Sequence, residues 1–367
     1  MAPLIRRATR LLTAHIDIQL LGAILLLMGV SLLVIYSGSN QSLARVSSQI
    51  INMLVALCIM YAFANIPPHY LMRIALPLYV LGVLLLMCVW QFGEVVNGAR
   101  RWLHVGVTRI QPSEIMKIAV PLMLAWYFDR YEKTLKVSNY IIAAILLFIP
   151  VGLVVRQPDL GTAMLISAAG CYVLFLAGLS WRIIVGLAVA SGASLPLLWP
   201  MMHDYQRQRI LTLIDPTLDP LGSGYHTIQS TIAVGSGGIL GKGWLQGTQT
   251  HLDFIPERTT DFIFAVYSEE FGLLGNSLIL FLFLLVIARG VVITANAPTL
   301  FTRLFGGAIT LTFFTYAFVN MGMVSGILPV VGVPLPLISY GGTSLVTICL
   351  GLGILMSIQT HKKLVQS

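Results

Sequence analysis

"FGLLGNSLILFLFLLVIARGVVI", residues 271–293, is an apolar run of 23 residues with one charged side chain, Arg289. A helix rises about 1.5 Å per residue, so roughly 20 apolar residues cross the hydrocarbon core of a bilayer, which is about 30 Å thick. We therefore predict that this run is a membrane-spanning helix.

The rest of the chain has the same character. Of its 367 residues 57% are hydrophobic and 10% are charged, whereas a soluble domain is normally about half apolar and about a quarter charged. Nine further runs have a suitable length, although Pro or Gly interrupts two of them (113–129 and 182–202). These runs are 17–37, 46–64, 71–91, 113–129, 138–156, 160–179, 182–202, 304–327 and 338–358. The sequence predicts an all-α polytopic membrane protein with ten transmembrane helices.

Ten spans place both termini on one side of the membrane. Twelve of the 22 basic residues fall on that side: Arg6, Arg7, Arg10, Arg73, Arg130, Lys133, Lys136, Arg182, Arg289, Arg303, Lys362 and Lys363. The positive-inside rule makes that side cytoplasmic, so we predict a multi-pass protein of the cytoplasmic (inner) membrane. The first run is too long for a cleaved signal and is predicted to be a retained anchor. The remaining ten basic residues lie in external loops or near external helix ends. They could form an ordinary solvated surface, but several cluster at the membrane face, where an anionic ligand would need them.

One membrane domain, 1–367, is predicted, with a large external loop at 203–260 between the seventh and eighth helices. A loop of this length tends to be functional. Its stretch "GSGGILGKGW" (235–244) departs from a phosphate-binding P-loop in two ways: Ser236 replaces the first glycine, and Gly243 follows the lysine. Nucleotide binding is therefore discarded, and no nucleic-acid partner is expected. The four cysteines lie in apolar runs without metal-ligand spacing.

"PERTTDFIFAVYSEE" (256–270) stands directly before the opening run. It holds four of the fourteen acidic residues: Glu257, Asp261, Glu269 and Glu270. If the stretch is helical, Glu257 shares a face with Asp261, Glu269 lies about 80° from Asp261 and is expected to face the same cavity, and Glu270 points away. Arg258 is placed to balance Asp261. Apolar neighbours could raise the pKa of Asp261 toward that of a general base; the alternative is a helix cap.

Two other charged positions lie at external helix ends. Glu114 and Lys117 are three residues apart and able to pair, and because intramembrane charges are costly they usually line a cavity. The pair could present Lys117 to an anion or be purely structural. Asp159, in "RQPDLGTA" (156–163), follows Pro158, and a helix N-cap explains it without a function.

Two irregular external segments complete the pattern. The loop 92–114 combines Arg100, Arg101 and Arg109 with Trp102. These residues could form an aromatic belt with snorkelling arginines or a guanidinium site for phosphate. The segment "LPVVGVPLPLISYGGTS" (328–344) has three prolines and three glycines. Non-helical backbone at membrane depth is tolerated only where it is buried in protein or lines a cavity.

Taken together, seven stretches resemble the SEDS family (shape, elongation, division and sporulation), and the likeness runs almost end to end. They are "QPSEIMKIAVPL", "QPDLGTA", "HDYQRQRI", "DPLGSGYHTIQS", "GKGWLQGTQ", "PERTTDFIFAV" and "GILPVVGVPLPLISYGGTS". The lack of long cytoplasmic tails and the wording "VSGILPVVGVPLPL" are similar to the branch of the family that serves elongation and rod shape rather than division.

The resemblance implies a peptidoglycan glycosyltransferase that polymerises lipid II on the outer face of the cytoplasmic membrane. It implies a class B penicillin-binding protein as transpeptidase partner, together with membrane lipids and elongation-complex proteins. Asp261 falls on the acid that the family requires, and Glu114, Lys117 and Asp159 match positions that matter for activity. Arg101 and Arg109 match motif positions, and Glu257 and Arg258 are expected to position Asp261. No cofactor is established by the resemblance, which leaves open a divalent cation such as Mg²⁺ or Mn²⁺.

Two other functions fit the same residues. Buried charges in a helix bundle are equally typical of a transporter, here a flippase that moves lipid II, which would need a path reaching the cytoplasm. A non-catalytic organiser that only recruits the transpeptidase is the third hypothesis. It predicts that an Asp261→Asn variant keeps cell shape.

Overall fold

The computed structural model describes residues 15–96, 99–105, 108–201, 207, 211–213, 215–218, 223–252, 254–255 and 257–361. Ten long helices form the body of the protein. They are α1 (Ile18–Gly38), α2 (Leu43–Ala64), α3 (Pro68–Phe92), α4 (Pro112–Arg130), α5 (Val137–Val155), α6 (Leu160–Leu176), α7 (Trp181–Leu198), α10 (Ile263–Ala295), α11 (Leu300–Val324) and α12 (Thr343–Thr360). Each overlaps one of the runs predicted from the sequence, so the all-α class and the multi-pass membrane architecture are confirmed.

The predicted number of spans is not settled by helix length and composition. In the described part of the chain, seven helices are long and apolar enough to cross a membrane: α1, α2, α3, α5, α10, α11 and α12. α6 is apolar but shorter, at 17 residues. The other two, α4 and α7, correspond to the runs interrupted by Pro or Gly, and α4 has Pro121 inside it. The count of ten stays a prediction.

Short elements fill two connections on one side of the bundle. Residues after α3 form a three-stranded antiparallel sheet of β1 (Glu94–Val96), β2 (Ala99–Val105) and β3 (Thr108–Ile110), in which His104 lies opposite Arg109. Among the described residues of the long loop are the helices α8 (Ser223–Ser236) and α9 (Thr248–His251). The sequence predicts the two connections but not these elements.

Helices α4, α11 and α12 form the centre of the bundle. α11 packs against α4, α6 and α10, while α12 packs most extensively against α2. Small residues permit the close approach of α12 to α2, since a Cβ on Gly353 would lie 2.3 Å from the carbonyl oxygen of Met60. Most residues of α4 and α11 are buried by protein rather than facing outward. Polar side chains on α4, α11 and α12 are therefore shielded from lipid.

α10 is broken near its first turns. Gly272 has φ 61° and ψ −158°, which is backbone that L side chains rarely adopt. The break frees backbone groups, and the glycine-rich loop satisfies them: Lys242 N donates to Glu269 O at 3.0 Å, and Leu273 N donates to Gly238 O at 2.9 Å. A Cβ on Gly241 would lie 2.1 Å from Glu270 O. Close backbone contact, rather than phosphate binding, accounts for the glycines of "GSGGILGKGW".

The two ends of the described chain meet on the opposite side of the bundle. The rings of His15 and His361 stack with centroids 4.4 Å apart, and His15 Nδ1 lies 3.3 Å from Thr360 Oγ1. Nearby, Asp17 caps α1 and pairs with Arg289 of α10 at 2.6 Å. Both ends therefore share one side, as the topology predicts.

Candidate functional site

Asp261 lies in a turn directly before α10. Thr260 N donates to Glu257 O at 3.0 Å, and Glu257 has a φ of 47°, which is outside helical backbone. α10 begins at Ile263, so the helical geometry considered for residues 257–270 does not hold for residues 257–262. The turn nevertheless brings Glu257 close enough to hydrogen-bond with the Asp261 carboxyl.

Hydrogen bonds from α11, and packing against the irregular segment before α12, hold the backbone of the turn in place. Asn320 Nδ2 donates to the carbonyl oxygens of Asp261 at 2.8 Å and of Val333 at 2.7 Å. Gly332 has a φ of 74°, and a Cβ there would lie 3.3 Å from Asp261 Oδ2. The Asp261 backbone is thus held while its carboxyl group is left facing a cavity.

That cavity has a volume of about 210 Å³. It is lined by Thr260, Asp261, Pro334, Leu335, Leu337, Ser339, Tyr340, Gly341, Thr343, Ser344, Leu345 and Ile348. Burial, with the charge of Glu257 and its hydrogen bond as further causes, raises the pKa of Asp261 to about 6. A carboxyl group with this pKa is ionised at neutral pH and is a stronger base than an exposed aspartate.

The segment 328–344 forms one wall of the cavity, as its irregular backbone predicts. Tyr340 N donates to Thr259 O at 2.8 Å, and Ser339 Oγ donates to Thr260 O at 2.6 Å. From α2, Arg45 Nη1 donates to Thr259 Oγ1 at 3.3 Å. The turn that carries Asp261 is therefore tied to α2 and to the start of α12.

Glu114 and Lys117 form a second polar group one helix away. Lys117 Nζ donates to Glu114 Oε1 at 2.6 Å and lies 5.3 Å from the ring centroid of Tyr316. Thr347 Oγ1 of α12 donates to Glu114 Oε2 at 3.2 Å. Lys117 is buried, with 5% of its side chain exposed, and the pair predicted from the sequence is present.

A small cavity of about 40 Å³ adjoins Lys117, Tyr316 and Thr347. Ile348 lines both this cavity and the one that holds Asp261. The side of α12 that carries Thr347 and Ile348 thus lies between the proposed base and the buried cation.

Asp159 has the structural role considered from the sequence, and its role in activity stays a prediction. It caps α6 by accepting from Thr162 N at 3.2 Å, which is the structural role. Its Oδ2 lies 3.8 Å from Arg101 Nε and accepts from Gln111 Nε2 at 3.4 Å. The cap therefore also ties the arginine-bearing sheet to α6.

Arg101 and Arg109 lie on neighbouring strands. Arg101 also donates from Nη2 to Pro158 O at 2.9 Å, so it lies across the start of α6. Arg109 lies in β3, and its side chain is outside the described part of the structure. The choice between an aromatic belt and a phosphate site stays open for this sheet.

Glu269 differs from its predicted position. We expected it to face the cavity of Asp261; instead it is fully buried and accepts from Lys242 Nζ at 2.7 Å and from Gln249 N at 2.9 Å. Residues 257–262 are not part of α10, which changes the direction of Asp261 relative to Glu269. Glu270 points away from Asp261 as predicted, toward Ser37 and His251.

Several residues around the site were not singled out from the sequence: Arg45, Gly332, Tyr316, Asn320 and Thr347. Of these, Asn320 carried a usable signal, because a buried amide within an apolar helix needs a partner. The positive φ of Gly332 and the inward position of Thr347 depend on tertiary packing, and no pattern in the chain indicates them.

No group of three or more His, Cys, Asp or Glu side chains that could hold a metal occurs within the described ranges. Asp261 and Glu257 offer two carboxylates side by side. A hydrogen bond between these two carboxyl groups needs a proton on one of them, so the pair is not assigned as a metal site.

A much larger apolar cavity, about 980 Å³, lies between α5, α6 and α7. It is lined by the start of α5 and the end of α6, including Tyr140, Tyr172 and Trp181. By the direction of these helices it lies toward the end of the bundle opposite Asp261. It shares no lining residue with the Asp261 cavity and is not part of the candidate site.

The fold and the site define a class: a polytopic membrane protein with a cavity at one end of its bundle that contains a carboxyl group of raised pKa. The family model described as "Cell cycle protein", which covers FtsW, RodA and SpoVE, matches residues 10–364. The chain belongs to this family.

Relatives support that assignment over nearly the full length. The peptidoglycan glycosyltransferase MrdB of Escherichia coli K12 is 52% identical over 351 residues, which is 95% of each chain. The peptidoglycan glycosyltransferase RodA of Treponema pallidum is 30% identical over 94% of this chain and 98% of its own.

Two solved structures have the same fold. One belongs to a peptidoglycan synthase complex that coordinates polymerization and crosslinking; its chain aligns with a TM-score of 0.83 and 30% identity, covering 95% of this chain and 98% of that chain. The other is the rod shape determining protein RodA of Thermus thermophilus, with a TM-score of 0.72 and 28% identity over 95% of this chain and 97% of that one.

Proposed function

We propose that this protein is a peptidoglycan glycosyltransferase that polymerises lipid II during cell elongation and rod-shape maintenance. The observation that carries the proposal is the half-buried Asp261 carboxyl, whose pKa is raised to about 6 in a 210 Å³ cavity. It is supported by the full-length likeness to proteins named peptidoglycan glycosyltransferase. A raised pKa in a cleft is typical of catalytic groups.

The proposed step is attack of the 4-hydroxyl of an acceptor GlcNAc on the anomeric carbon of the donor MurNAc. The new glycosidic bond forms as the bond to the polyprenyl diphosphate breaks, and the configuration at the anomeric carbon inverts. Asp261 accepts the hydroxyl proton as general base. A diphosphate leaves without being protonated, so the second carboxylic acid of a glycoside hydrolase is not required.

The leaving diphosphate needs positive charge nearby. Lys117 is the buried cation of the site, and Ile348 places its cavity next to that of Asp261. Arg45, Arg101 and Arg109 add positive charge at the same end of the bundle. Preorganised charge in a dry site stabilises a developing anion more strongly than it would in water.

A divalent cation such as Mg²⁺ or Mn²⁺, carried by the diphosphate of the substrate, would supply further positive charge at the leaving group.

We assign the protein to the cytoplasmic (inner) membrane, with both termini in the cytoplasm and the site on the outer face. In support, the described ends of the chain, His15 and His361, stack on each other. Asp17 pairs nearby with Arg289 toward the end of α10, whereas Asp261 precedes the start of α10. The excess of basic residues predicted on the side of the termini supports a cytoplasmic location for them. A cysteine at exposed Gln246 should react with a membrane-impermeant maleimide in intact cells, and one at Lys362 only after permeabilisation. The reverse labelling would overturn this orientation.

A class B penicillin-binding protein is the proposed partner, as transpeptidase for the new strand. The support is the structural likeness to a chain of a peptidoglycan synthase complex that couples polymerization to crosslinking. Membrane lipids and other elongation-complex proteins complete the proposed surroundings.

The test is polymerisation by the purified protein with its partner, given lipid II in detergent, where flipping has no meaning. The wild type should make glycan chains, and Asp261→Asn should lower the rate by between about 10² and 10⁴-fold, the usual contribution of a general base. Asp17→Asn, at the other end of the bundle, is the matched control and should stay active.

Three outcomes would contradict the proposal. Equal polymerisation by Asp261→Asn would remove the general-base role. A wild type that makes no glycan in detergent, yet moves lipid II across vesicle membranes, would favour the flippase. An inactive wild type whose Asp261→Asn variant keeps cell shape would favour the non-catalytic organiser.

A further inference from the structure

Glu269 is the most heavily hydrogen-bonded carboxylate among the described residues. Its side chain is fully buried, and both of its carboxylate oxygens accept hydrogen bonds. Its donors are Lys242 Nζ (2.7 Å), Thr248 Oγ1 (3.2 Å), Gln249 N (2.9 Å), Thr250 N (3.1 Å) and Thr250 Oγ1 (2.9 Å). We call Glu269 and these four residues the Glu269 clamp. Because every donor is in the long external loop, the clamp fastens that loop to the first turns of α10.

The clamp is connected to the turn that carries Asp261. Thr250, whose amide and hydroxyl both bind Glu269, accepts a hydrogen bond on its carbonyl oxygen from Arg258 Nη1. Arg258 adjoins Glu257, and the carbonyl oxygen of Glu257 accepts from Thr260 N and Phe262 N. An unbroken chain of hydrogen bonds and adjacent residues thus leads from Glu269 to both sides of Asp261.

Backbone contacts make the attachment rigid. Lys242 N and Gly243 N each donate at 3.0 Å to the carbonyl oxygens of Glu269 and Glu270. A Cβ on Gly247 would lie 2.8 Å from Glu269 Oε2. With the loop packed this closely, the clamp has little freedom to adjust when one partner is changed.

Glu270, the next residue, shows that a buried carboxylate at this position is not by itself connected to the turn that carries Asp261. Glu270 is also buried, but it accepts from Ser37 of α1 and lies 3.8 Å from His251 Nε2. Its second oxygen has no hydrogen-bond partner among the described residues. Glu270 therefore ties α10 to α1, whereas Glu269 holds the segment that leads to Asp261.

We propose that Glu269 is a positioning residue for the glycosyl transfer: by holding residues 248–250 on α10, it fixes the Arg258–Glu257 turn and hence the Asp261 carboxyl in the cavity. This role rests on the proposed function of Asp261 as general base. A misplacement of about 1 Å in a catalytic group can lower a rate on the order of 10²-fold, so the effect of a loosened clamp is measurable.

Glu257 provides a specific signal of the clamp. Its charge and hydrogen bond are among the causes that raise the pKa of Asp261, after burial. If the clamp is released, Glu257 is no longer held beside Asp261, and the pKa of Asp261 falls. The acid limb of the rate profile, expected near pH 6 for the wild type, then moves to lower pH.

The experiment compares wild type and Glu269→Gln, each with its partner, in lipid II polymerisation across pH 4.5 to 8, a range of roughly two units on each side of the expected limb. We expect kcat to fall roughly 10- to 100-fold with little change in KM, and the acid limb to move downward. Amide hydrogen exchange of Gln249 and Thr250 should speed up in the variant, since their acceptor is weakened.

Two further variants separate positioning from loss of structure. Glu257→Gln alone should also lower the acid limb, and Glu257→Gln combined with Glu269→Gln should lower it no further. Asp17→Asn breaks another buried ion pair on α10, with Arg289 at 2.6 Å, and should leave the limb in place whatever it does to stability. Where Glu269→Gln does not fold, the isosteric Thr250→Val removes one donor and should shift the limb in the same direction by less.

An unchanged acid limb in Glu269→Gln, with kcat reduced only in proportion to the folded fraction, would overturn the positioning role and leave Glu269 structural. The same holds if Glu269→Gln lowers the limb further in the Glu257→Gln background. A wild type that makes no glycan contradicts the proposed function instead, and the hydrogen-exchange result still reports whether the clamp exists.

Discussion

Asp261 and Glu269 stand eight residues apart at the mouth of the same helix, and their carboxyl groups are treated in opposite ways. Glu269 is fully buried, is paired with Lys242 and accepts four further hydrogen bonds. Asp261 is half-buried beside another acid and faces a cavity. The saturated carboxylate can hold structure but has no capacity left for a proton, whereas the unsaturated one can take a proton.

The two carboxylates have different surroundings because the stretch 257–270 has two different backbone conformations. The turn 257–262 leaves helical geometry and gives Asp261 a cavity. The following turns of α10 remain helical and turn Glu269 toward the loop. The difference arises from backbone geometry, because Asp261 lies in a turn whereas Glu269 lies within the helix.

Glu269→Ala is expected to have the largest effect on stability, and it tests the contrast between Glu269 and Asp261. Removing a buried, paired carboxylate leaves Lys242 and the loop amides without their acceptor, and breaking a buried pair costs about 3–5 kcal/mol. We expect a large loss of thermal stability, measured by the melting of the purified protein in detergent. Asp261→Ala is the control. If both variants melt alike, the two carboxylates do not differ in structural role.

A smaller effect of opposite sign is expected for Asp261→Asn. Its folded-state pKa is raised to about 6, so holding the ionised form at pH 8 costs the folded state on the order of 1–3 kcal/mol. This group contributes stability that is present below its unfolded pKa and is lost as pH rises through about 6. The wild type should therefore gain stability between pH 8 and pH 5, relative to Asp261→Asn.

Melting temperatures of the two proteins at both pH values test this, since all other titrating groups are shared. Parallel pH dependence in the two proteins would show that the Asp261 carboxyl is not destabilised in the folded state. The contrast with Glu269 would then be one of position only.

Gly332→Ala is expected to have the smallest effect on stability, and it tests how closely the cavity wall positions the Asp261 carboxyl. Gly332 has a φ of 74°, and a Cβ there would lie 3.3 Å from Asp261 Oδ2. Gly332→Ala should cost about 1 kcal/mol through backbone strain and should displace the Asp261 carboxyl. We expect a several-fold loss of polymerisation with near-normal melting, whereas Gly22→Ala, with open space around its Cβ, should change neither.

The sequence predicted most of the fold because lipid imposes a simple rule. Each long apolar run, such as 271–293, had to become a helix, and the structure confirms the ten positions. Apolar content does not predict whether a helix faces lipid or protein. An example is α4, which carries Lys117 and Pro121 and is buried by protein rather than by lipid. There a hydropathy pattern cannot show what covers the helix.

The site was predictable in part. The spacing of Glu114 and Lys117 indicates a pair, and the structure places them 2.6 Å apart. Asp261 and Glu269 could not be told apart in this way, because the helical geometry assumed for 257–262 is replaced by a turn. That turn depends on Asn320, Ser339 and Tyr340, which lie about 60 to 80 positions away in sequence.

The contact of the first and last helices with the same neighbours has a mechanical consequence. His15 stacks on His361, and α12 packs most extensively against α2 and also against α10. A pull on the C-terminus must therefore shear α12 away from helices at the beginning of the chain before any other helix can leave. The bundle resists being unravelled from its end, and its extraction from a membrane under force should begin with one large rupture.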